Sequence, residues 1–309
     1  MKSAPHISIV SPVYRGENLV AELVRRIHQS VSTITPDYEI ILVEDCGPDS
    51  SWNKIFALAE KDPKIKGFKL SRNFGQHYAI TCGLDQSKGE WVVVMDCDLQ
   101  DRPEEIVPLY QKAISGYDVV LAKRDQRQDT FFKKFFSKAF YRTLGYLTGS
   151  AMDEQVANFG IYHRNVINAV CELRESIRYF PTMIQWVGFK QTAISVTHSA
   201  RDVGKSTYNF KSLLNLALDI ILAYSDKPIR LMIKLGILVS LLSFIMGFYF
   251  SFQYFLGNVT VPGYTSLILS IWFFSGLLLI LVGVVGLYVG KTFEGVKKRP
   301  IYLIQNETK

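Results

Sequence analysis

The sequence predicts an α/β protein: a mainly parallel sheet flanked by helices, then interfacial helices and two membrane-spanning helices. Three observations predict it. Across residues 7–122, short β-branched runs alternate with helical patterns, as in a parallel sheet covered on both faces. Polar residues collect directly after the strands, at Tyr14, Asp45, Arg72, Asp96 and Asp98, and in such a sheet those ends share one edge. Residues 235–290 contain no Asp, Glu, Lys or Arg, about twice the roughly 20 residues that one bilayer crossing needs.

Residues 7–10 read as the first strand and 11–16 as the turn at its carboxyl end. Residues 17–31 follow as an amphipathic helix, with Leu19, Leu23, Val24 and Ile27 at helical spacing. Residues 38–43 are a second strand and 51–60 a helix; 65–70 are a third strand, followed by Ser71-Arg72-Asn73-Phe74-Gly75 and a helix near 77–84. Residues 92–95 form an unbroken apolar run suited to a central strand, which stops at Asp96. With extended backbone, Asp96, Asp98 and Gln100 emerge on one side. Oxygen ligands there suit a hard cation, Mg²⁺ or Mn²⁺, shared with a phosphate-bearing substrate. The same stretch reads as a helix start, with Asp101 as N-cap and Pro103 in the first turn; both readings hold together. Residues 103–115 are then helix and 117–122 strand.

Residues 131–141 combine Lys133, Lys134, Ser137 and Lys138 with six aromatic residues, Phe131, Phe132, Phe135, Phe136, Phe140 and Tyr141, a composition expected of a helix at a membrane interface. Residues 210–223 read as an amphipathic helix lying on the membrane, its apolar side Leu213, Leu214, Leu216, Ala217, Ile220 and Ile221. Turn-forming residues 257–263 split the charge-free stretch into spans of about 230–256 and 265–290. Lys227, Arg230 and Lys234 precede the first span, Lys291, Lys297, Lys298 and Arg299 follow the second, and the loop is uncharged. The positive-inside rule puts both termini in the cytoplasm of an inner-membrane protein. The expected division is a catalytic domain over 1–207, an amphipathic segment over 208–229, two spans over 230–290 and a basic cytosolic tail over 291–309. The first twelve residues have no apolar core suited to a signal peptide.

Cys46, Cys82, Cys97 and Cys171 lack metal-ligand spacing and read as reduced thiols. Much of the net charge of +7 lies near the membrane, so anionic lipid is the expected partner and nucleic acid is not. No Gly-X-Gly-X-X-Gly follows the first strand, which argues against a nicotinamide enzyme. Gly204-Lys205-Ser206 imitates the end of a P-loop, but position 199 is Ser199 and no strand–loop–helix surrounds it.

Ser8-Ile9-Val10-Ser11-Pro12-Val13-Tyr14, Val43-Glu44-Asp45, Ser71-Arg72-Asn73-Phe74-Gly75 and Met95-Asp96-Cys97-Asp98-Leu99-Gln100-Asp101 resemble, in that order, the motifs of family 2 glycosyltransferases of the GT-A fold. The polyprenyl-phosphate branch is the most similar, and the resemblance covers nearly the whole chain, both spans included. It implies a nucleotide-sugar donor, a UDP-sugar being favoured, and a polyprenyl phosphate acceptor. It assigns donor binding to Pro12, Val13, Tyr14, Asp45, Arg72, Asn73, Gly75 and Asp96, and metal binding to Asp96, Asp98 and Gln100. Arg201-Asp202-Val203-Gly204-Lys205-Ser206-Thr207-Tyr208 resembles the family's loop over the diphosphate, with Arg201 and Lys205 as clamps. Arg124, Lys133 and Ser137 are the implied ligands of the lipid phosphate. Gly16 stands where many relatives carry an acid, and Asn158 and Gly160 stand where Asp and Arg are common. An Asn cannot serve as a carboxylate base; Asp153 could substitute and joins Asp96 and Asp98 as a catalytic candidate, N-terminal capping or a structural hydrogen bond being the equal alternative for it. A homo-oligomer formed through the spans is left open. Two other functions compete: a membrane glycosyltransferase that extends a glycan on a hydroxyl, and a non-catalytic adaptor retaining a sugar-nucleotide domain. The processive relatives' Gln-X-X-Arg-Trp motif is not matched by Ile184-Gln185-Trp186.

Overall fold

Apolar periodicity decides which face of each element is buried, and the result is a two-sided core. The computed structural model describes residues 5–124, 156–175, 177–197, 225, 227–256 and 263–308. In β2 (Tyr38–Glu44), Ile40 and Leu42 join one core cluster while Ile41 and Val43 join the other. That is the signature of a strand covered on both faces. On one face pack α1 (Val20–Val31), α2 (Ser51–Lys61) and α4 (Ile106–Ala113), with Leu23, Ile27, Ile55, Ile106 and Leu109 fully buried. The other face takes α3 (Gln76–Gln86), α5 (Arg164–Glu172) and α6 (Phe180–Val187), through Ile80, Val166, Ile167 and Met183.

The remaining strands are β1 (Ile7–Val13), β3 (Ile65–Leu70), β4 (Trp91–Val94), β5 (Val119–Arg124), β6 (Val156–His163), β7 (Gln191–Val196) and β8 (Ile304–Glu307). Their order is β7-β5-β6-β4-β1-β2-β3-β8. β4, β1, β2 and β3 run parallel, as do β5 and β7; β6 and β8 run antiparallel to their neighbours. The chain steps outward from β1 to β3 and then returns to the opposite side of β1 as β4. Loops after β1 and β4 therefore diverge and open a crevice between them, the usual ligand position in such sheets.

Several boundaries differ from the sequence reading. β1 extends through Ser11, Pro12 and Val13, which pair with Leu42, Val43 and Glu44, so three residues expected in a turn lie in the sheet. Pro103 opens a 3₁₀ turn as expected, but Arg102, not Asp101, precedes it, and Asp101 is buried. Residues 291–309 read as a basic tail; within them Ile304–Glu307 form β8, against β3.

α7 (Lys227–Phe255) and α8 (Tyr264–Val296) are each long and apolar enough to cross a membrane. At 1.5 Å per residue both exceed the roughly 30 Å hydrocarbon core. Their large side chains, among them Phe244, Phe248, Trp272, Phe273 and Leu279, face outward, as on a helix apolar all round. The chain divides into a sheet unit and a helical unit; the helical unit ends at Lys298 and the sheet unit resumes at Arg299. The amphipathic stretch 210–223 and the interfacial stretch 131–141 lie outside the described residues.

The amino ends of the strands carry a buried polar network. Glu39 accepts hydrogen bonds from Ser8 Oγ (2.6 Å), Lys88 N (2.7 Å) and Lys66 Nζ (2.5 Å). Burial pushes its carboxyl up, but the bonds from Lys66, Ser8 and Lys88 outweigh that and hold it below the ordinary 4.5. A depressed folded-state pKa gives stability that is complete above the unfolded value and lost as pH falls through the folded one. Glu39→Gln is therefore expected to destabilise the sheet unit at neutral pH and progressively less below about pH 4.5, read by urea unfolding.

Candidate active site

Four loops leave the carboxyl ends of the parallel strands and meet at one edge. After β1 come Tyr14 to Leu19, after β2 Asp45 to Ser50, after β3 Ser71 to Gly75, and after β4 Met95 to Arg102. Three of them hold a non-glycine residue with left-handed backbone: Arg15 (φ 55°), Cys46 (φ 50°) and Leu99 (φ 60°). Each such residue costs on the order of 1 kcal/mol, and strain of this kind persists where surrounding bonds over-determine it.

Those bonds are visible. Asp49 Oδ2 accepts from Glu17 N (3.1 Å), Glu17 Oε2 from Ser50 N (3.2 Å), and Ser51 Oγ from Gly16 N (2.9 Å), lacing the first loop to the second. A Cβ on Gly16 would stand 2.8 Å from Val13 Cγ1, so glycine is what this turn accommodates. Glu44 is buried and accepts from Gly47 N; burial pushes its carboxyl up. Tyr14 is 40% exposed and presents its ring to solvent. Val13 is fully buried, so its side chain belongs to the core and only its main chain borders the crevice.

Asp45, 3% exposed, ties the second loop to the third. Its Oδ1 accepts from Phe74 N (2.8 Å) and its Oδ2 from Gly75 N (2.9 Å), while its own N–H donates to Val13 O (2.9 Å). Burial pushes its carboxyl up, against the pull of those two amides and Arg72. The sequence reading gave Asp45 a direct contact with the donor; the geometry spends both oxygens on the Ser71–Gly75 loop. Gly75 turns there with φ 108°, a conformation L side chains rarely adopt. Arg72 and Asn73 are exposed, and the Arg72 guanidinium stacks 4.0 Å from the centre of the Phe74 ring.

The fourth loop carries the acids. The expectation of extended backbone through Gln100 does not hold, because the chain turns at residues 97–100. Asp98 Oδ1 accepts from Gln100 N (3.1 Å), an Asx turn that places Leu99 in the left-handed region. Gln100 thus supports Asp98 through its main chain. Cys97 packs against the first loop, its thiol pushed up to about 12 by burial, so it is inert. Asp96 Oδ1 accepts from Gln76 Nε2 at 2.6 Å. Gln76 opens α3 directly after the third loop. The sequence reading missed it, although the signal that found Arg72, a polar residue following a strand end, extends to it. Gln76→Ala is expected to lower kcat/KM about tenfold by freeing the Asp96 rotamer, checked by steady-state transfer kinetics.

β6 enters this edge from the other side. Its register sets Val94 opposite Gly160, where the pairing with β4 ends, and Asn158 lies on β6 two residues closer to this edge. A Cβ on Gly160 would stand 2.9 Å from Val120 O and 2.9 Å from the Tyr162 hydroxyl. The arginine common at this position has no room here. Arg124 ends β5 at the same edge. Asp153, Lys133, Ser137, Arg201 and Lys205 lie outside the described residues.

The donor set at Asp96 and Asp98 fits a hard divalent cation. Both carboxylates are part-exposed at the crevice. Among the described residues no group of three His, Cys, Asp or Glu forms a protein cage. Two carboxylates, with remaining positions left to phosphate and water, is how Mg²⁺ is commonly held beside a nucleotide.

Comparison with known proteins follows the same line. Residues 8–170 match the family model for Glycosyl transferase family 2. An uncharacterized glycosyltransferase of Synechocystis sp. is 36% identical over 97% of this chain and 95% of its own. The undecaprenyl-phosphate 4-deoxy-4-formamido-L-arabinose transferase of Klebsiella pneumoniae is 33% identical over 97% of this chain and 92% of its own. Among solved structures, glucosyl-3-phosphoglycerate synthase from Mycobacterium tuberculosis, in complex with Mn²⁺, UDP and phosphoglyceric acid, has a TM-score of 0.50 at 15% identity, covering 71% of this chain and 77% of that one. That last likeness is one of fold, and it agrees with the expected GT-A architecture.

Proposed function

The chain belongs to glycosyl transferase family 2, and from that premise we propose that it is an inverting membrane hexosyltransferase. It moves a sugar from a nucleotide sugar, a UDP-sugar in the favoured case, to polyprenyl phosphate at the cytoplasmic leaflet. An acceptor phosphate oxygen attacks the anomeric carbon from the face opposite the donor diphosphate. The bond from that carbon to the diphosphate oxygen breaks, and the nucleoside diphosphate leaves with the electron pair.

The observation that carries the choice of acceptor is Asn158. A sugar hydroxyl has to lose a proton and wants a carboxylate base; position 158, on β6 at this edge, holds an amide. A lipid monophosphate, with a second pKa of about 6, is largely dianionic at neutral pH and needs positioning more than a base. The acceptor in the name of the Klebsiella relative, undecaprenyl phosphate, supports the same choice.

In this reading Tyr14 stacks on the base, Pro12 and Val13 border it through their main chain, and Asp45 and Gly75 shape the loop that brings Arg72 and Asn73 to the diphosphate. Asp96 and Asp98 are the residues that would hold Mg²⁺ or Mn²⁺, which when bound would supply Lewis-acid chemistry to the leaving diphosphate. Arg201 and Lys205 are the proposed clamps, Asp153 a proposed catalytic neighbour, and Arg124, Lys133 and Ser137 the proposed acceptor ligands. Topology has independent support. α7 and α8 form one hairpin, and the chain after α8 supplies β8 to the sheet that precedes α7. An even number of crossings between the two parts of that sheet agrees with this topology, and the basic flanks of the spans favour the cytoplasm for both ends. A tag in the 257–262 loop is expected to be labelled from outside intact cells, and one at the C-terminus only after permeabilisation.

The functional test incubates membranes containing the protein with radiolabelled UDP-, GDP- and TDP-sugars and undecaprenyl phosphate. Label is expected in the lipid extract from a UDP-sugar, and its loss with EDTA. Label entering a glycan but no lipid phosphate would favour the hydroxyl-acceptor function; nucleotide binding with neither transfer nor hydrolysis would favour the adaptor.

A further inference from the structure

β3 would be an edge strand but for residues that come last in the chain. β8 pairs antiparallel with it, setting Phe68 opposite Glu307, Lys69 opposite Asn306 and Leu70 opposite Ile304. The pairing is closed at both ends. Thr308 exchanges two bonds with Gly67: its Oγ1 accepts from Gly67 N (2.8 Å) and its N–H donates to Gly67 O (2.9 Å). At the other end Ser71 N donates to Leu303 O (2.9 Å). Ser71 is the first residue of the loop that Asp45 holds through Phe74 and Gly75. Just before Leu303, the Tyr302 hydroxyl donates to Asp85 Oδ2 (2.8 Å), and Asp85 is gripped by both arms of Arg174 (2.8 and 3.0 Å). Tyr302 and Ile304 also pack on the core cluster under α3. The last residues of the chain thus fasten both the strand before the loop and the helix after it.

Without this strap, Ser71 loses its main-chain bond to Leu303, and the loop is held at its far end only, by the Phe74 and Gly75 amides on Asp45 and by the Gly75 carbonyl, which accepts from Tyr78 N and Ala79 N. An unpaired β3 would present open N–H and C=O groups, and its loop would lose one end of its support. We propose that residues Tyr302 to Thr308 are a positioning segment of the donor site, fixing the loop that carries Arg72 and Gly75. This inference rests on the donor-site reading above. Because the segment follows the membrane hairpin, the donor site is complete only once the whole chain, both spans included, has been made.

The test compares nucleotide binding by the full chain and by a chain ending at Pro300, both in detergent with Mn²⁺ and with UDP and GDP as probes. The shortened chain is expected to bind about tenfold more weakly or worse, and an added peptide of residues 301–309 to restore affinity. A second variant guards against misfolding. Tyr302→Phe keeps the ring and removes the bond to Asp85. It is expected to raise the donor KM about threefold or more while kcat and the lipid KM stay as they were. A folded shortened chain with full-chain affinity overturns the proposal, as does an unchanged donor KM for Tyr302→Phe. Failure of the full chain to bind either nucleotide overturns the donor-site reading itself, and the strap proposal with it.

Discussion

Asp98→Ala is expected to reduce sugar transfer by on the order of a hundredfold to a thousandfold. Two losses combine. The carboxylate is half of the proposed cation site, so the leaving diphosphate loses its counter-charge. The same carboxylate accepts from Gln100 N and so supports the turn in which Leu99 is left-handed. Asp98→Asn separates them, since an amide oxygen still accepts from Gln100 N but brings no charge. If the charge is what matters, Asn falls nearly as far as Ala. If the turn is what matters, Asn stays close to wild type. The measurement is label transferred to extracted lipid at saturating donor, with circular dichroism to show that both variants fold.

Asp45→Asn is expected to raise the donor KM by about tenfold or more. The carboxylate meets two amide N–H groups at 2.8 and 2.9 Å in a nearly closed site. An Asn must turn its own NH₂ toward one of them, leaving a donor facing a donor. Such a mismatch costs about 1–3 kcal/mol, and it falls on the Phe74–Gly75 end of the loop that carries Arg72 and Asn73. The effect should therefore appear in donor affinity and leave the lipid KM unchanged. Initial rates varied separately in donor and lipid distinguish the two. An equal rise in both constants points to general loosening of the sheet edge.

The sequence made the core of this fold legible wherever burial was two-sided. The 40–43 and 92–95 runs declare themselves because every residue in them is apolar. What lay beyond the fifth strand was harder. β6 holds Asn158, Gly160 and His163, and its residues read as a motif rather than as a strand. β8 is Ile304-Gln305-Asn306-Glu307, mostly exposed, and an edge strand with no buried face leaves no alternation to see. The acids of the fourth loop were legible by position, since polar residues at strand ends converge in a parallel sheet. Their local geometry was not. Leucine is rare in left-handed backbone, so nothing in Asp98-Leu99-Gln100 announces an Asx turn. Asp45 was legible as a site residue, but its part in holding Phe74 and Gly75 emerges only when two loops 30 residues apart are seen side by side.

The central claim is that a nucleoside diphosphate and a divalent cation share the crevice between the loops after β1 and β4. Anomalous scattering from crystals of the full chain grown with Mn²⁺ and UDP tests it most directly. The expected map has one manganese peak within coordination distance of Asp98 and the diphosphate, with the uracil beside Tyr14. A manganese held away from Asp96 and Asp98, or UDP bound elsewhere on the sheet unit, would contradict it.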